Sequence, residues 1–455
     1  MRPAALAEVA RVLGANLATG DGATLVRGAA TDSRVVREGD LFFALRGRTD
    51  GADFAPEAYL RGAVAAVATR PLEVPTLVVG DPLEAMQRLA RWTLRRGDAP
   101  QVVGITGTVG KTTTKDALAT VLRYAGRRVS ATVGNYNNEI GLPLTVLGAD
   151  PRTEILVLEM GATHPGDIRH LCAIAPPKVG ILTAISPVHL DSFGSLDSLA
   201  AAKGELALAL LESGTLVSPV AAPEAAIGSG RPLRRRITFG AAEGADLTAS
   251  GVEEHEKGLR FVARLGDRSI EVSSPVFGTH LVEPLLAALG GGLALGVDLD
   301  EGARGVSRLR RTGLRGEVYR LREDIVVYDD SYNASPAAVA AVLRYGAQQA
   351  ARQDRRLVAV LGGMFELGAT ARAYHHEAGK LAEEAGVNLL VCVGDEARWY
   401  AEAFSGKTLF YKDAQTAADD LGERLESRDY VVVKGSRGVG LDALTHKLKK
   451  NLTVV

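Results

Sequence analysis

The residues best equipped for chemistry stand together in the run Val102-Val103-Gly104-Ile105-Thr106-Gly107-Thr108-Val109-Gly110-Lys111-Thr112-Thr113-Thr114. An apolar strand enters a glycine turn and a helix leaves it. Glycines let successive backbone N–H groups close around phosphate oxygens, and the helix N-terminus adds partial positive charge. Gly107, Thr108, Gly110, Lys111, Thr112 and Thr113 are therefore expected to hold ATP. Lys111 would bridge the outer phosphates and Thr112 would offer its hydroxyl to magnesium. The usual spacing of such loops puts a glycine where this chain has Ile105, so the motif is a variant. It specifies a nucleotide and leaves the reaction open.

Glu159 closes the apolar run 154–159. Sites in open α/β sheets form at the carboxyl ends of strands, and a carboxylate suits a hard cation. Glu159 is thus the expected magnesium ligand, with a solvated strand-end charge as the bland alternative. His189 follows the apolar run 179–183, with Asp191 close by.

Three segments must position these groups. Residues 1–98 alternate strand-like runs (41–45, 64–68, 76–79) with helical stretches, among them an amphipathic helix over 3–17 and one carrying Leu83, Met86, Leu89, Ala90 and Leu94 on a single face. Gly97, Asp98 and Pro100 then break the pattern. Residues 99–310 open with the strand 101–105 and the phosphate loop. Apolar runs separated by helices follow, as in a parallel sheet, with a β-rich patch over 258–272 and a helix over 281–295. Residues 311–455 alternate strands (325–328, 357–361, 389–393, 430–433) with alanine-rich helices, a second, doubly wound α/β unit.

Beyond the loop stand Gly134-Asn135-Tyr136-Asn137-Asn138-Glu139-Ile140-Gly141-Leu142-Pro143, then Glu159-Met160-Gly161-Ala162, His189-Leu190-Asp191 and Ala202-Lys203-Gly204-Glu205-Leu206. With the phosphate loop, these strings resemble the Mur ligase family. They look specifically like its branch that joins D-alanyl-D-alanine to UDP-N-acetylmuramoyl-tripeptide. Asp32-Ser33-Arg34, 39–45 and Asp50-Gly51 resemble the family's uridine-nucleotide-binding domain, and 329–336, 364–368 and 434–437 its C-terminal domain. The resemblance implies three domains: a small α/β uridine-nucleotide-binding domain, a central P-loop-type ATPase domain with a parallel sheet, and a C-terminal Rossmann-like domain.

What it implies for chemistry is an ATP-dependent ligase working through an acyl phosphate, with magnesium, expected as two ions. Glu159, His189 and Thr112 would serve the metal. So would Lys203, if carbamylated; an unmodified lysine among alanines would otherwise read as a solvated charge. His280 would lie against the adenine. Asp330, Tyr332 and Asn333 would close onto ATP and the dipeptide. Asn135, Asn137 and Asn138 would contact the acceptor peptide, unless they only form turns. Lys434, Ser436 and Arg437 sit where a cation can meet a carboxylate, a structural salt bridge being the rival for Lys434 and Arg437. Ser33 and Arg34 would meet the uridine diphosphate, the arginine by its planar fork. The chain departs from the family pattern at Ala52, Ala184, Leu281, Pro284 and Gly363. A ligase that adds the third peptide residue, and a P-loop NTPase without an acceptor amine, are the other readings.

Composition narrows the partners. A net charge of −1 on 455 residues, with both signs mixed along the chain, argues against a nucleic-acid binder. Two distant cysteines exclude a disulfide framework and a four-cysteine metal knuckle. No apolar run reaches the roughly 20 residues of a membrane span. The expectation is a cytoplasmic monomer acting on small molecules.

Overall fold

A computed structural model describes residues 1–17, 19–97, 99–186, 190–228, 235–241, 243–255, 257–310 and 314–452. Each expected segment contributes a sheet. The first has five strands in the order Asn16–Leu17, Thr76–Val78, Ala65–Ala68, Asp40–Phe43, Gly28–Ala30, with only the Asn16–Leu17 edge antiparallel. The amino-terminal helix is shorter than its apolar periodicity predicts. It spans Leu6–Leu13 because Gly14 turns left-handed (φ 61°) and ends it. Helix Pro82–Thr93 starts on Asp81, whose carboxylate accepts the N–H groups of Leu83 and Glu84. Its buried Met86, Leu89 and Ala90 share one core with Leu142, Val146, Ile168 and Leu171 of the second segment.

The central sheet has nine strands: Arg268–Ser274, Gly258–Leu265, Leu247–His255, Arg235–Phe239, Thr215–Pro219, Val179–Leu182, Gln101–Thr106, Ile155–Glu159 and Val129–Ala131. It is parallel except where the hairpin strands from Leu247 to Ser274 pair. The pleat sends Val103, Ile105, Ile155 and Val157 into a core with helices Lys111–Tyr124 and Val282–Ala294. Val102, Leu156 and Leu158 point the other way, toward Gly141–Leu147, Asp167–Ile174 and Leu196–Leu208. Apolar surface on both faces is why these strands read as unbroken hydrophobic runs. Glu159 pairs in register with Ile105, which places its carboxylate beside the phosphate loop.

The third sheet has six strands: Glu317–Arg320, Val326–Asp329, Tyr430–Lys434, Leu357–Gly362, Leu389–Val393 and Lys407–Tyr411, antiparallel only at the first pair. Chain order and strand order part at Tyr430–Lys434, which slots between the first and second parallel strands. Asp330 and Lys434 leave adjacent strand ends there. Among the described residues no helix is long and apolar enough to cross a membrane.

At the opposite end of this sheet, buried Asp429 receives both Nε and Nη2 of Arg356 at 2.8 Å and also the N–H of Glu426 at 2.8 Å. Removing Asp429 would take away the buried partner of Arg356, which keeps only Glu426, and would free the Glu426 N–H. Asp429→Ala is expected to destabilise the C-terminal unit by about 3 kcal/mol, read as a lower urea midpoint from Trp399 fluorescence in a Trp92→Phe background.

Candidate active site

The strand Gln101–Thr106 ends in the loop that begins helix Lys111–Tyr124. Gly107 adopts φ +145°, and a Cβ there would collide with the Thr183 hydroxyl, so this turn admits only glycine. Thr183 donates to the carbonyl of Val109 at 2.7 Å, and the Thr108 hydroxyl donates to the carbonyl of Ala184 at 2.9 Å. The neighbouring strand end thus braces the loop from outside. Lys111 Nζ donates to the carbonyls of Gly107 (2.8 Å) and Thr108 (3.2 Å). Burial lowers its pKa below the ordinary lysine value; Glu159 opposes the shift and Arg315 adds to it.

Glu159 is 4% exposed, and both its oxygens are engaged. Thr112 Oγ1 donates to one at 2.8 Å and Asn137 Nδ2 to the other at 2.9 Å, while its own N–H donates to Thr132 Oγ1 at 3.0 Å. Lys203 is not the solvated face charge its alanine neighbours suggest. At 2% exposure, its Nζ donates to the carbonyl of Ala162 at 3.3 Å and lies 5.6 Å from the Phe193 ring centre. Burial, reinforced by Lys111 and opposed by Asp167 and Glu205, lowers its pKa to about 7.

Facing this group is the carboxyl edge of the third sheet. Lys434 donates to both the carboxylate and the carbonyl of Asp330. The Tyr332 ring lies under the Arg315 guanidinium at 3.8 Å, with Arg437 5.8 Å from the ring centre. Arg437 also pairs with Asp442 at 3.0 Å. The salt-bridge reading of Lys434 and Arg437 therefore describes contacts that exist, and both side chains still line the cavity. Burial lowers the pKa of His280, against the pull of Asp330 and together with Lys434.

One cavity of about 1430 Å³ gathers these groups. It brings together Gly107, Thr108, Gly110, Lys111, Thr112, Thr113, Asn135, Asn137, Asn138, Glu159, Lys203, His280, Asp330, Tyr332, Asn333, Lys434, Ser436 and Arg437. Ser33 and Arg34 do not line it: Ser33 donates to Glu57 at 2.7 Å, and exposed Arg34 pairs with Asp32 at 2.6 Å. His189 lies outside the described residues. Asn138 does the turn-forming work weighed for it, accepting the N–H of Gly141 at 2.9 Å.

Residues 105–291 match the Mur ligase middle domain, 314–437 the Mur ligase glutamate ligase domain, and 25–91 the catalytic domain of the Mur ligase family. A UDP-N-acetylmuramoyl-tripeptide–D-alanyl-D-alanine ligase of Escherichia coli is 32% identical over 93% of this chain and 94% of its own. The chain belongs to the Mur ligase family. The Bacillus subtilis ligase of the same name is 31% identical over 93% of both chains. The structure superposes on MurF from Acinetobacter baumannii with a TM-score of 0.87 at 27% identity, covering 99% of this chain and 100% of that one. MurF ligase from Thermotoga maritima, in complex with ADP, gives 0.80 at 32% identity, covering 93% and 97%.

This Mur ligase has cavity residues that the sequence did not single out, chiefly Arg315 and Asp167. Arg315 stands in no motif; its stacking on Tyr332 appears only when two strand ends meet.

Two outcomes follow from this geometry. Gly107→Ala is expected to weaken ATP binding at least about 100-fold, since the loop must distort by several kcal/mol to admit a Cβ, measured by calorimetry. Lys203 releases its proton near pH 7 when folded against an ordinary value of 10.5. Between those values the unfolded chain binds more protons, so stability rises with pH across that window and falls as pH drops toward 7. In carbonate-free buffer this contribution should vanish in Lys203→Met, seen by comparing urea unfolding from pH 7 to 10.

Proposed function

We propose that this chain is an ATP-dependent carboxylate–amine ligase that joins D-alanyl-D-alanine to UDP-N-acetylmuramoyl-tripeptide in peptidoglycan precursor synthesis. One observation carries the reading: a phosphate loop, a strand-end carboxylate and a cationic sheet edge share a single cavity. Relatives over nearly the whole chain bear that ligase name, and one similar structure holds ADP.

The chemistry has two steps. A carboxylate oxygen of the tripeptide attacks the γ-phosphorus of ATP, and ADP leaves. The dipeptide amine then attacks the acyl carbon of the acyl phosphate and loses a proton, and phosphate leaves. Both steps gather anions, so positioned cations lower the barrier. Lys111 would exchange its two loop carbonyls for phosphate oxygens. Arg315, fixed on Tyr332, and Lys434, fixed on Asp330, would hold the far side. Asn135, Asn137 and Asn138 would meet the acceptor peptide; His280 and Asn333 would meet the nucleotide.

The residues suit magnesium. Thr112 Oγ1 and the Glu159 carboxylate meet as oxygen donors, and this ion takes few protein ligands besides substrate phosphates. Thr112 and Glu159 would hold it, with His189 as the family resemblance implies; when bound it neutralises charge on the transferring phosphoryl group. Two ions fit the reading in which Lys203 is carbamylated. A buried amine with pKa about 7 is about half neutral at that pH, and the neutral form can take up carbon dioxide. Ser33 and Arg34 would receive the uridine diphosphate after releasing Glu57 and Asp32. The proposed domains are 1–98, 99–310 and 311–455, in a monomer working in the cytoplasm.

The test is phosphate release with ATP, magnesium, UDP-N-acetylmuramoyl-tripeptide and D-alanyl-D-alanine. Release should require both cosubstrates and yield the UDP-linked pentapeptide by mass. Lys111→Ala and Glu159→Ala should each lower kcat by about 10²–10³-fold. Release without either cosubstrate would indicate a plain NTPase.

A further inference from the structure

The loop 363–367 follows strand Leu357–Gly362, and its Phe365, Glu366 and Leu367 line the cavity together with Ser436 and Arg437. Phe365 places a half-exposed ring there, against Gly438. Glu366 is held at φ +66°, a conformation that non-glycine residues adopt only under constraint. The loop is pinned at two N–H groups. Phe365 donates to Ser436 Oγ at 2.9 Å, and Met364 donates to Nε2 of His375 at 2.9 Å.

His375 is fully buried on helix Ala371–Glu384. Its Nδ1 lies 2.6 Å from the carbonyl of Ala371, which can only accept, so Nδ1 carries the proton. Its Nε2 faces an N–H, which can only donate, so Nε2 is bare. Both contacts select one neutral tautomer. Tyr400 and Trp399 pack on the ring at 4.7 and 5.3 Å between centres, and the Tyr400 hydroxyl donates to the carbonyl of Gly362 at 3.1 Å.

We propose that His375 is a positioning residue for the incoming amine: in its neutral Nδ1–H form it clamps loop 363–367 against the cavity. The inference rests on the ligase reading for its substrate, while the clamp itself stands on the hydrogen bonds. In the ligase reading the nucleotide would take the phosphate loop of the central unit, which leaves the wall built by 365–367 and 436–437 for the dipeptide. Protonating Nε2 would set two donors face to face and release Met364. Burial already disfavours that charge, lowering the pKa, with the Ala371 carbonyl opposing. Around the ring, burial keeps Tyr400 and Cys392 protonated, and Glu396 lies within electrostatic reach of Tyr400. His376 and Arg372 both pair with Glu402 in a separate network.

The experiment compares wild type, His375→Gln and His375→Met. Glutamine offers an acceptor that cannot become charged; methionine offers none. Amide exchange across 363–367, measured by mass spectrometry, should accelerate about tenfold in His375→Met, the worth of one buried hydrogen bond, and stay near wild type in His375→Gln. The KM for D-alanyl-D-alanine should rise by a similar factor in His375→Met, with that for UDP-N-acetylmuramoyl-tripeptide unchanged. In wild type the dipeptide KM should rise between pH 8 and pH 5 by more than in His375→Gln. Unchanged exchange in His375→Met, or the same pH dependence in His375→Gln, overturns the proposal. A wild type that makes no pentapeptide overturns the ligase reading, while exchange still decides the clamp.

Discussion

Three lysine amines are drawn in around one cavity: Lys111, Lys203 and Lys434. Lys434 has a carboxylate partner in Asp330, whereas Lys111 and Lys203 donate to backbone carbonyls. Withdrawing cations from water without a paired anion is costly. The fold meets that cost with precise backing: a braced glycine loop, a helix that holds Lys203 inward, and strand ends brought edge to edge. The gain is a space whose donors already stand around the place where phosphate and carboxylate oxygens would arrive.

Much of this was legible where local chemistry and tertiary role coincide. The run 101–114 names its strand, turn and helix because glycine, lysine and threonine each have a stereochemical reason to be there. Glu159 was legible because an apolar run that ends in a carboxylate is unusual. Strands Thr215–Pro219 and Arg235–Phe239 were not, since Ser218, Pro219, Arg235 and Arg236 break the apolar signal; Arg236 is satisfied by donating to Ser218 Oγ at 2.9 Å. The depth of Lys203 escaped because alanine neighbours fit a buried helix face as well as an exposed one. Arg315 escaped because its partner, Tyr332, belongs to another strand end.

The departures from the family pattern acquire physical content in the fold. Ala184 serves through its carbonyl, which accepts from both the N–H and the hydroxyl of Thr108, so its side chain is not what braces the loop. Pro284 lies 3.0 Å from where a Cβ of Gly110 would stand, and its carbonyl takes the Thr114 hydroxyl at 3.3 Å. At Gly363, the space a side chain would enter is bounded by Glu396 and Phe365, each 3.2 Å from an added Cβ.

The first two segments share a single apolar core, whereas the central segment meets the C-terminal unit through one buried aromatic, Phe277, and polar links: Gln349 to Glu254 at 2.6 Å and Tyr328 to the Phe277 carbonyl at 3.2 Å. The first seam is thus a continuous apolar core, and the second is mixed. Parting the second seam would therefore expose less apolar surface to water than parting the first, so the grip on the triphosphate loop is backed by the costlier of the two boundaries.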